Sequence, residues 1–298
     1  MRWLELASRI DSEAAEAVSE VFSRVAAGGI AIEPDLIPGA DDGYQLGPNA
    51  TVRGYIPIDE SASSKTHQIE EALWHLRAIW PVGELETREV AEEDWASAWK
   101  AHYHTFRVGK RIVIRPSWLD DQPKDDDVLV SLDPGAAFGT GLHPTTRRCL
   151  ELLEDVIRPG DNVFDVGTGS GILAIAAIGL GARHVLAVDV DPVAVTTARE
   201  NVAVNGLSTQ VTVDEGSVDH PASAQKYNLV VANIIARVIL ELAPRLVGRL
   251  QPGGSLIVGG VIADRAGEVE QALTRLGLTV RVVQDNDWFT FAGRLGGA

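Results

Sequence analysis

At 298 residues, with 45% hydrophobic and 23% charged positions, the chain holds enough apolar material for one large or two medium packed domains. Its net charge of −16 is uneven: residues 1–104 carry 8 Lys+Arg against 19 Asp+Glu, and residues 105–298 carry 18 against 23. Nucleic-acid binding needs a basic surface, so direct contact with DNA or RNA is disfavoured and a basic protein partner is favoured.

Trp3–Leu6 alternates like a strand, and Asp11 or Ser12 caps a helix whose Ala14, Val18, Val21, Phe22 and Val25 recur at helical spacing up to Gly28-Gly29. Ile30–Glu33 and Thr51–Pro57 read as strands around a Pro-, Gly- and Asp-rich loop, Pro34–Pro48. A helix over Thr66–Ile79 and a strand over Leu85–Val90 follow. The order βαββαβ points to a ferredoxin-like α+β domain over residues 1–88, with one sheet face covered by helices and the other free to hold a partner. EEDWASAWKAHY, with Trp95 and Trp99 four apart, predicts a helical linker over residues 89–104, ahead of a second domain at 105–298.

Lys110–Arg115 and Val128–Leu132 are short β-like runs around a solvated acidic loop. Asp133–Thr146 (DPGAAFGTGLHPTT) is dense in glycine and hydroxyls and leads into an amphipathic helix, Thr146–Val156. Such a loop folds against a ligand and satisfies its polar groups. His143 is either a proton carrier or, more commonly for a lone loop histidine, structural. His102 and His104 lack a third ligand and Cys149 is the only cysteine, so no metal site and no internal disulfide are expected.

NVFDVGTGSGILAIAAIGL carries the densest signal. Glycines at 167, 169 and 171 stand between an apolar strand, Asn162–Val166, and a helix, Ile172–Leu180, a turn that brings backbone N–H groups close to a ligand. Ile172 stands where a dinucleotide fingerprint needs its third glycine, and Asp165 would repel a pyrophosphate. A carboxylate there suits a cationic amine such as that of S-adenosylmethionine. Regular β/α alternation continues with strands His184–Val190, Gln210–Val213, Tyr227–Asn233, Ser255–Gly259, Thr279–Gln284 and Trp288–Leu295, and helices Pro192–Asn205, Arg237–Leu250 and Arg265–Leu276. Only Asp285-Asn286-Asp287 joins the last two strands, so they pair antiparallel. A parallel doubly wound sheet closed by such a hairpin is the Rossmann-like methyltransferase arrangement rather than that of a nicotinamide oxidoreductase. Asp189, ending the second strand, suits both ribose hydroxyls of an adenosine cofactor, and Asp191 suits a helix cap. Asp214–Ser217 borders the adenine or is plain turn chemistry. Asn233, ending the fourth strand, is placed to accept from an amine nucleophile and align it, and alignment supplies most of what methyl transfer from a sulfonium needs.

LDPGAAFGTGLHPTT, DVGTGSGILAIAA, VDVDP and VANIIA, in this order, resemble the PrmA family, bacterial methyltransferases of large-subunit ribosomal protein eleven; EEDWASAWKAHY and RVGKRIVIRPSW resemble it too. The resemblance implies transfer from S-adenosylmethionine to lysine side chains and the N-terminal α-amine of that ribosomal protein, captured by the first domain. It implies cofactor contacts at Thr145 and Thr146, Gly167, Asp189 and Asn233, beside Asp165, Gly169 and Gly171 of the turn, with Phe138 walling the pocket. Asn233 is followed by Ile234-Ile235, without the Pro-Pro-aromatic of adenine and glutamine methyltransferases, which argues against a planar amide or base as substrate. A lysine methyltransferase of another protein and a cofactor-binding module without turnover are the alternatives. MRWLELASRIDSEA lacks the apolar run of a signal peptide and no stretch is long enough to span a bilayer, so a cytoplasmic protein without membrane contact is expected; nothing calls for an assembly, and a monomer is expected.

Overall fold

A computed structural model of the chain describes residues 2–26, 30–38, 44–91, 105–119, 124–132, 139 and 141–297. The chain folds as two compact units, Met1–Arg107 and Val108–Ala298. No described helix is long and apolar enough to cross a membrane.

The first unit orders β1 (Arg2–Asp11), α1 (Ala15–Ser23), β2 (Ile30–Pro38), β3 (Tyr44–Pro57), α2 (Ala62–Leu76) and β4 (Glu86–Ala91) into an antiparallel sheet β2-β3-β1-β4, the ferredoxin-like topology. Alternation along β1 buries Leu6 and Ile10 among the core residues, with Val18 and Phe22 of α1 also fully buried. Several boundaries differ from the sequence reading, and β1 extends to Asp11 where a strand over Trp3–Leu6 was expected. Much of the expected loop Pro34–Pro48 is strand, because β2 is an edge: Pro34 and Pro38 need no outward donor there, and the pairing shifts between Pro34 and Leu36. Pro48 lies past the last β1 partner, Asp11 opposite Asn49, so its missing N–H also breaks no ladder on that side. Helix α2 starts at Ala62 rather than Thr66 and ends at Leu76 rather than Ile79; Asp59 accepts from the N–H of Ser61 at 2.8 Å just before it. Residues Glu89–Ala91 belong to β4, and the helical linker expected over 92–104 lies outside the described residues.

β5 (Phe106–Val108), β6 (Ile112–Arg115) and β7 (Val128–Ser131) form a small sheet ahead of α3 (Pro144–Val156). Three-residue β5 carries too little periodicity to read from sequence. From α3, Glu154 accepts from the backbone N–H of Lys110 at 2.9 Å, Arg111 at 2.7 Å and Ile112 at 3.1 Å, which fixes the turn before β6.

The remaining elements are β8 (Asn162–Val166), α4 (Ile172–Gly179), β9 (His184–Asp189), α5 (Pro192–Val204), β10 (Val211–Glu215), β11 (Tyr227–Asn233), α6 (Ala236–Gly248), β12 (Leu250–Ile262), α7 (Ala263–Arg275), β13 (Leu278–Asp285) and β14 (Trp288–Leu295). Their sheet runs β10-β9-β8-β11-β12-β14-β13, parallel except for β14, which is antiparallel to both neighbours. The hairpin expected from Asp285-Asn286-Asp287 is present, with Asn286 at φ 51°, the left-handed conformation such a tight turn needs. Phe164, Val166, Val230, Ala232 and Val258 of the sheet and Ile239 and Leu246 of α6 form one apolar cluster with Val269 of α7. Burying such side chains contributes roughly 1.5–3 kcal/mol each, and this holds the strand tips level at one edge.

Candidate functional site

The strand register gathers the candidate residues on one face. Asp165 is paired with Val231 and Ala187, so Asn233, two beyond Val231, and Asp189, two beyond Ala187, point the same way at the carboxyl ends of β11 and β9. Helix α3 meets this face: a Cβ added at Gly259, which pairs with Asn233, would sit 2.7 Å from Cys149 Sγ and 2.8 Å from Asn233 Oδ1. Ligands of doubly wound sheets bind at this edge.

The glycine turn follows β8 as expected. Gly167, Gly169 and Gly171 lie at φ 77°, 56° and 83°. At Gly167 space demands glycine as well as conformation does, since an added Cβ would lie 2.4 Å from Ile234 Cγ2. The N–H groups of Gly167 and Thr168 both donate to Val188 O, at 2.8 and 3.0 Å, which ties the turn to β9. Asp189 completes it: Oδ2 accepts from Gly169 N–H at 2.9 Å and Oδ1 from Asp191 N–H at 3.0 Å. Asp191 caps α5 by accepting from Val193 N–H at 2.8 Å.

Asp165 is completely buried. Thr168 Oγ1 donates to its Oδ2 at 2.7 Å, while Oδ1 accepts no hydrogen bond from any of the described residues. Burial pushes the carboxyl up to about 7; the Thr168 hydrogen bond opposes this and the Asp189 charge adds to it. A buried acceptor without a donor costs roughly 1–3 kcal/mol, and more when charged, so Asp165 is matched to a donor of positive charge. Asn233 repeats the pattern on the next strand: its Nδ2 donates to Thr146 Oγ1 at 3.1 Å, and its buried Oδ1 has no partner among the described residues.

Thr145 and Thr146 are fully buried in the first turn of α3. His143 caps that helix through Nδ1, which accepts from Thr145 N–H at 3.3 Å, and its ring meets Trp288 edge-on at 4.7 Å. Burial, with the Arg147 charge beside it, pushes its pKa down to about 4, so it is a neutral structural cap rather than a proton carrier near pH 7. Asp214 pairs with Arg199 at 3.4 Å and His220 at 3.8 Å, which answers to turn and ion-pair chemistry. Phe138 lies outside the described residues. Sequence reading missed Thr168, Cys149 and the pair Gly259-Gly260, where Gly260 has φ 82° and an added Cβ would lie 2.3 Å from Ile234 O. Two consecutive glycines inside β12, where its pairing with β14 shifts between Val258 and Val261, were the available signal.

Two unpartnered buried acceptors on adjacent strands, a carboxylate on a third strand and a left-handed glycine turn fit a ligand with an ammonium group and a ribose. They do not fit a diphosphate, which the Asp165 carboxylate would repel. S-adenosylmethionine has both required groups and no phosphate.

Comparison with known proteins agrees with the geometry. The family model described as ribosomal protein L11 methyltransferase (PrmA) matches residues 2–295. The ribosomal protein L11 methyltransferase of Chloroflexus aurantiacus is 48% identical, over 93% of this chain and 92% of that one. That of Herpetosiphon aurantiacus is 43% identical, over 99% of each chain. Among solved structures, the ribosomal protein L11 methylase of Lactobacillus delbrueckii subsp. bulgaricus superposes with a TM-score of 0.61 at 36% identity, covering 65% of this chain and 100% of that one. Together with the sheet order and the site, these matches establish that the chain belongs to the ribosomal protein L11 methyltransferase family, whose methyl donor is S-adenosylmethionine.

Proposed function

We propose that this protein transfers methyl groups from S-adenosylmethionine to amines of ribosomal protein L11, both lysine side chains and the N-terminal α-amine. The observation that carries the reading is the pair of buried acceptors, Asp165 Oδ1 and Asn233 Oδ1, beside the glycine turn. Bound S-adenosylmethionine supplies an electrophilic methyl group on a sulfonium. Asp165 neutralises the ammonium of the methionine portion, Asp189 accepts from the ribose hydroxyls, and Gly167, Gly169 and Gly171 let the backbone come close. Thr145 and Thr146 close the α3 side. Asn233, held by Thr146, accepts an N–H of the incoming amine and turns its lone pair toward the methyl carbon. Such alignment is worth several kcal/mol of barrier. A free lysine titrates near ~10.4 and an α-amine near ~8, so burial of the amine at this edge favours the neutral, nucleophilic form.

The first unit is the capture surface for the protein substrate in this reading. Its acidity, 8 basic against 19 acidic residues through position 104, suits a basic partner. The enzyme acts on protein rather than on nucleic acid, as a monomer in the cytoplasm. Purified protein incubated with methyl-labelled S-adenosylmethionine and L11 should label L11, with mass increments on lysine-containing and N-terminal peptides. Absence of label on L11, or label only on another ribosomal protein, overturns the substrate assignment.

A further inference from the structure

Asn201 of α5 and Asn205, which ends that helix, reach two separate parts of the site. Asn205 Oδ1 accepts from Ser131 N–H at 2.9 Å, and its Nδ2 donates to Ser131 O at 2.7 Å and to Asn201 O at 2.7 Å. One amide thus pairs with both backbone groups of the last β7 residue, as a neighbouring strand would, on the side of β7 away from β6. Asn201, 3% exposed, sends its Nδ2 to Ser170 O at 2.8 Å, inside the glycine turn. Ser170 is itself buried, and its hydroxyl donates to Gly139 O at 2.6 Å. Gly139 lies at φ 104°, and an added Cβ would be 2.8 Å from Ser170 Oγ, so the contact depends on glycine.

Ser131, at the end of β7, is therefore held by Asn205, and Gly139 is held by Ser170, which Asn201 holds in turn. The same chain runs on into His143, Thr145 and Thr146, and Thr146 holds Asn233. We infer that Ser170, acting with Asn201 and Asn205, is a positioning residue for the cofactor site: it holds Gly139 against the glycine turn before the ligand arrives. None of the three needs to touch the reacting atoms. Their effect is preorganisation, which lowers the ordering cost that binding would otherwise bear.

The inference rests on the cofactor-site reading above, and wild-type binding of S-adenosylmethionine tests that reading separately. For this one, the full chain is compared with Ser170→Ala, Asn205→Ala and, as a comparator, Glu154→Gln, which loosens the turn before β6 and touches neither tie. Calorimetric Kd for S-adenosylmethionine, steady-state KM and kcat, and melting temperature are measured on each. Loss of one neutral hydrogen bond corresponds to about a fivefold change. Ser170→Ala should raise Kd and KM for the cofactor about fivefold, with kcat at saturating cofactor within about twofold. Asn205→Ala should move Kd in the same direction, although it reaches the glycine turn only through Asn201. Glu154→Gln should lower the melting temperature with Kd unchanged. An unchanged Kd in folded Ser170→Ala overturns the inference, as does a Kd rise of equal size in Glu154→Gln. If Ser170→Ala does not fold, Asn205→Ala decides, and an unchanged Kd there is the overturning result.

Discussion

Replacing Asp165 with asparagine should change how stability depends on pH, not merely its level. The carboxyl is completely buried and its pKa is pushed up from 3.8 to about 7, chiefly by that burial. Each pKa unit is worth about 1.4 kcal/mol, so ionising Asp165 in the folded, ligand-free protein costs on the order of 4 kcal/mol. Between those two pKa values the folded protein holds a proton that the unfolded chain has released. Stability from this group is therefore present below the unfolded value and lost as pH rises toward the folded one. From about pH 5 to about pH 8 the loss is ~3 kcal/mol. Asp165→Asn removes this titration while keeping an oxygen for Thr168. Its new amide hydrogens give a fixed offset that does not vary with pH. Denaturant unfolding of both chains, followed by tryptophan fluorescence across that range, gives the difference directly. His143, which burial pushes down to about 4, titrates in both chains and cancels. The variant should gain on the wild type by about 3 kcal/mol as pH rises, and it should lose cofactor affinity throughout. Parallel profiles would mean that Asp165 ionises at an ordinary pKa, and the matched-charge argument for the site would fail.

Asp189→Ala should weaken S-adenosylmethionine binding by about tenfold or more, because it removes the ribose acceptor and the caps on Gly169 and Asp191; an unchanged calorimetric Kd would show the ribose assignment wrong. Asn233→Ala should lower kcat about a hundredfold and weaken cofactor binding as well, and a variant with normal single-turnover rates would remove Asn233 from the alignment step. Gly167→Ala should destabilise the protein by roughly 1–3 kcal/mol and abolish cofactor binding, since its methyl would overlap Ile234; a melting temperature and Kd equal to wild type would contradict the packing described. Deleting residues 1–88 should leave cofactor binding intact while abolishing transfer to L11; undiminished transfer would dismiss the capture role.

Much of the second unit was legible because its signals are local. The glycines at 167, 169 and 171, the acidic residue ending β9 and the three-residue link at 285–287 each constrain the backbone within a few positions. The antiparallel last strand follows from the last of these, while the strand order came from the fold. What was not legible depends on contacts across long stretches of chain. The Asn233–Thr146 hydrogen bond spans 87 positions and the Asn205–Ser131 pairing 74, and no period or propensity announces either. In the first unit, proline in residues 34–48 read as loop because the rule against proline in strands holds for central strands, and β2 turned out to be an edge. His143 was ambiguous in sequence because a capping histidine and a proton carrier differ only in burial, which the fold decides.

The most direct measurement is a crystal structure of the full chain with S-adenosylmethionine. The account expects the ligand's ammonium at Asp165 Oδ1, the ribose hydroxyls at Asp189, and the methyl group facing Asn233 Oδ1. Density for the ligand elsewhere, or a diphosphate taking the glycine turn in preference to it, would contradict the account.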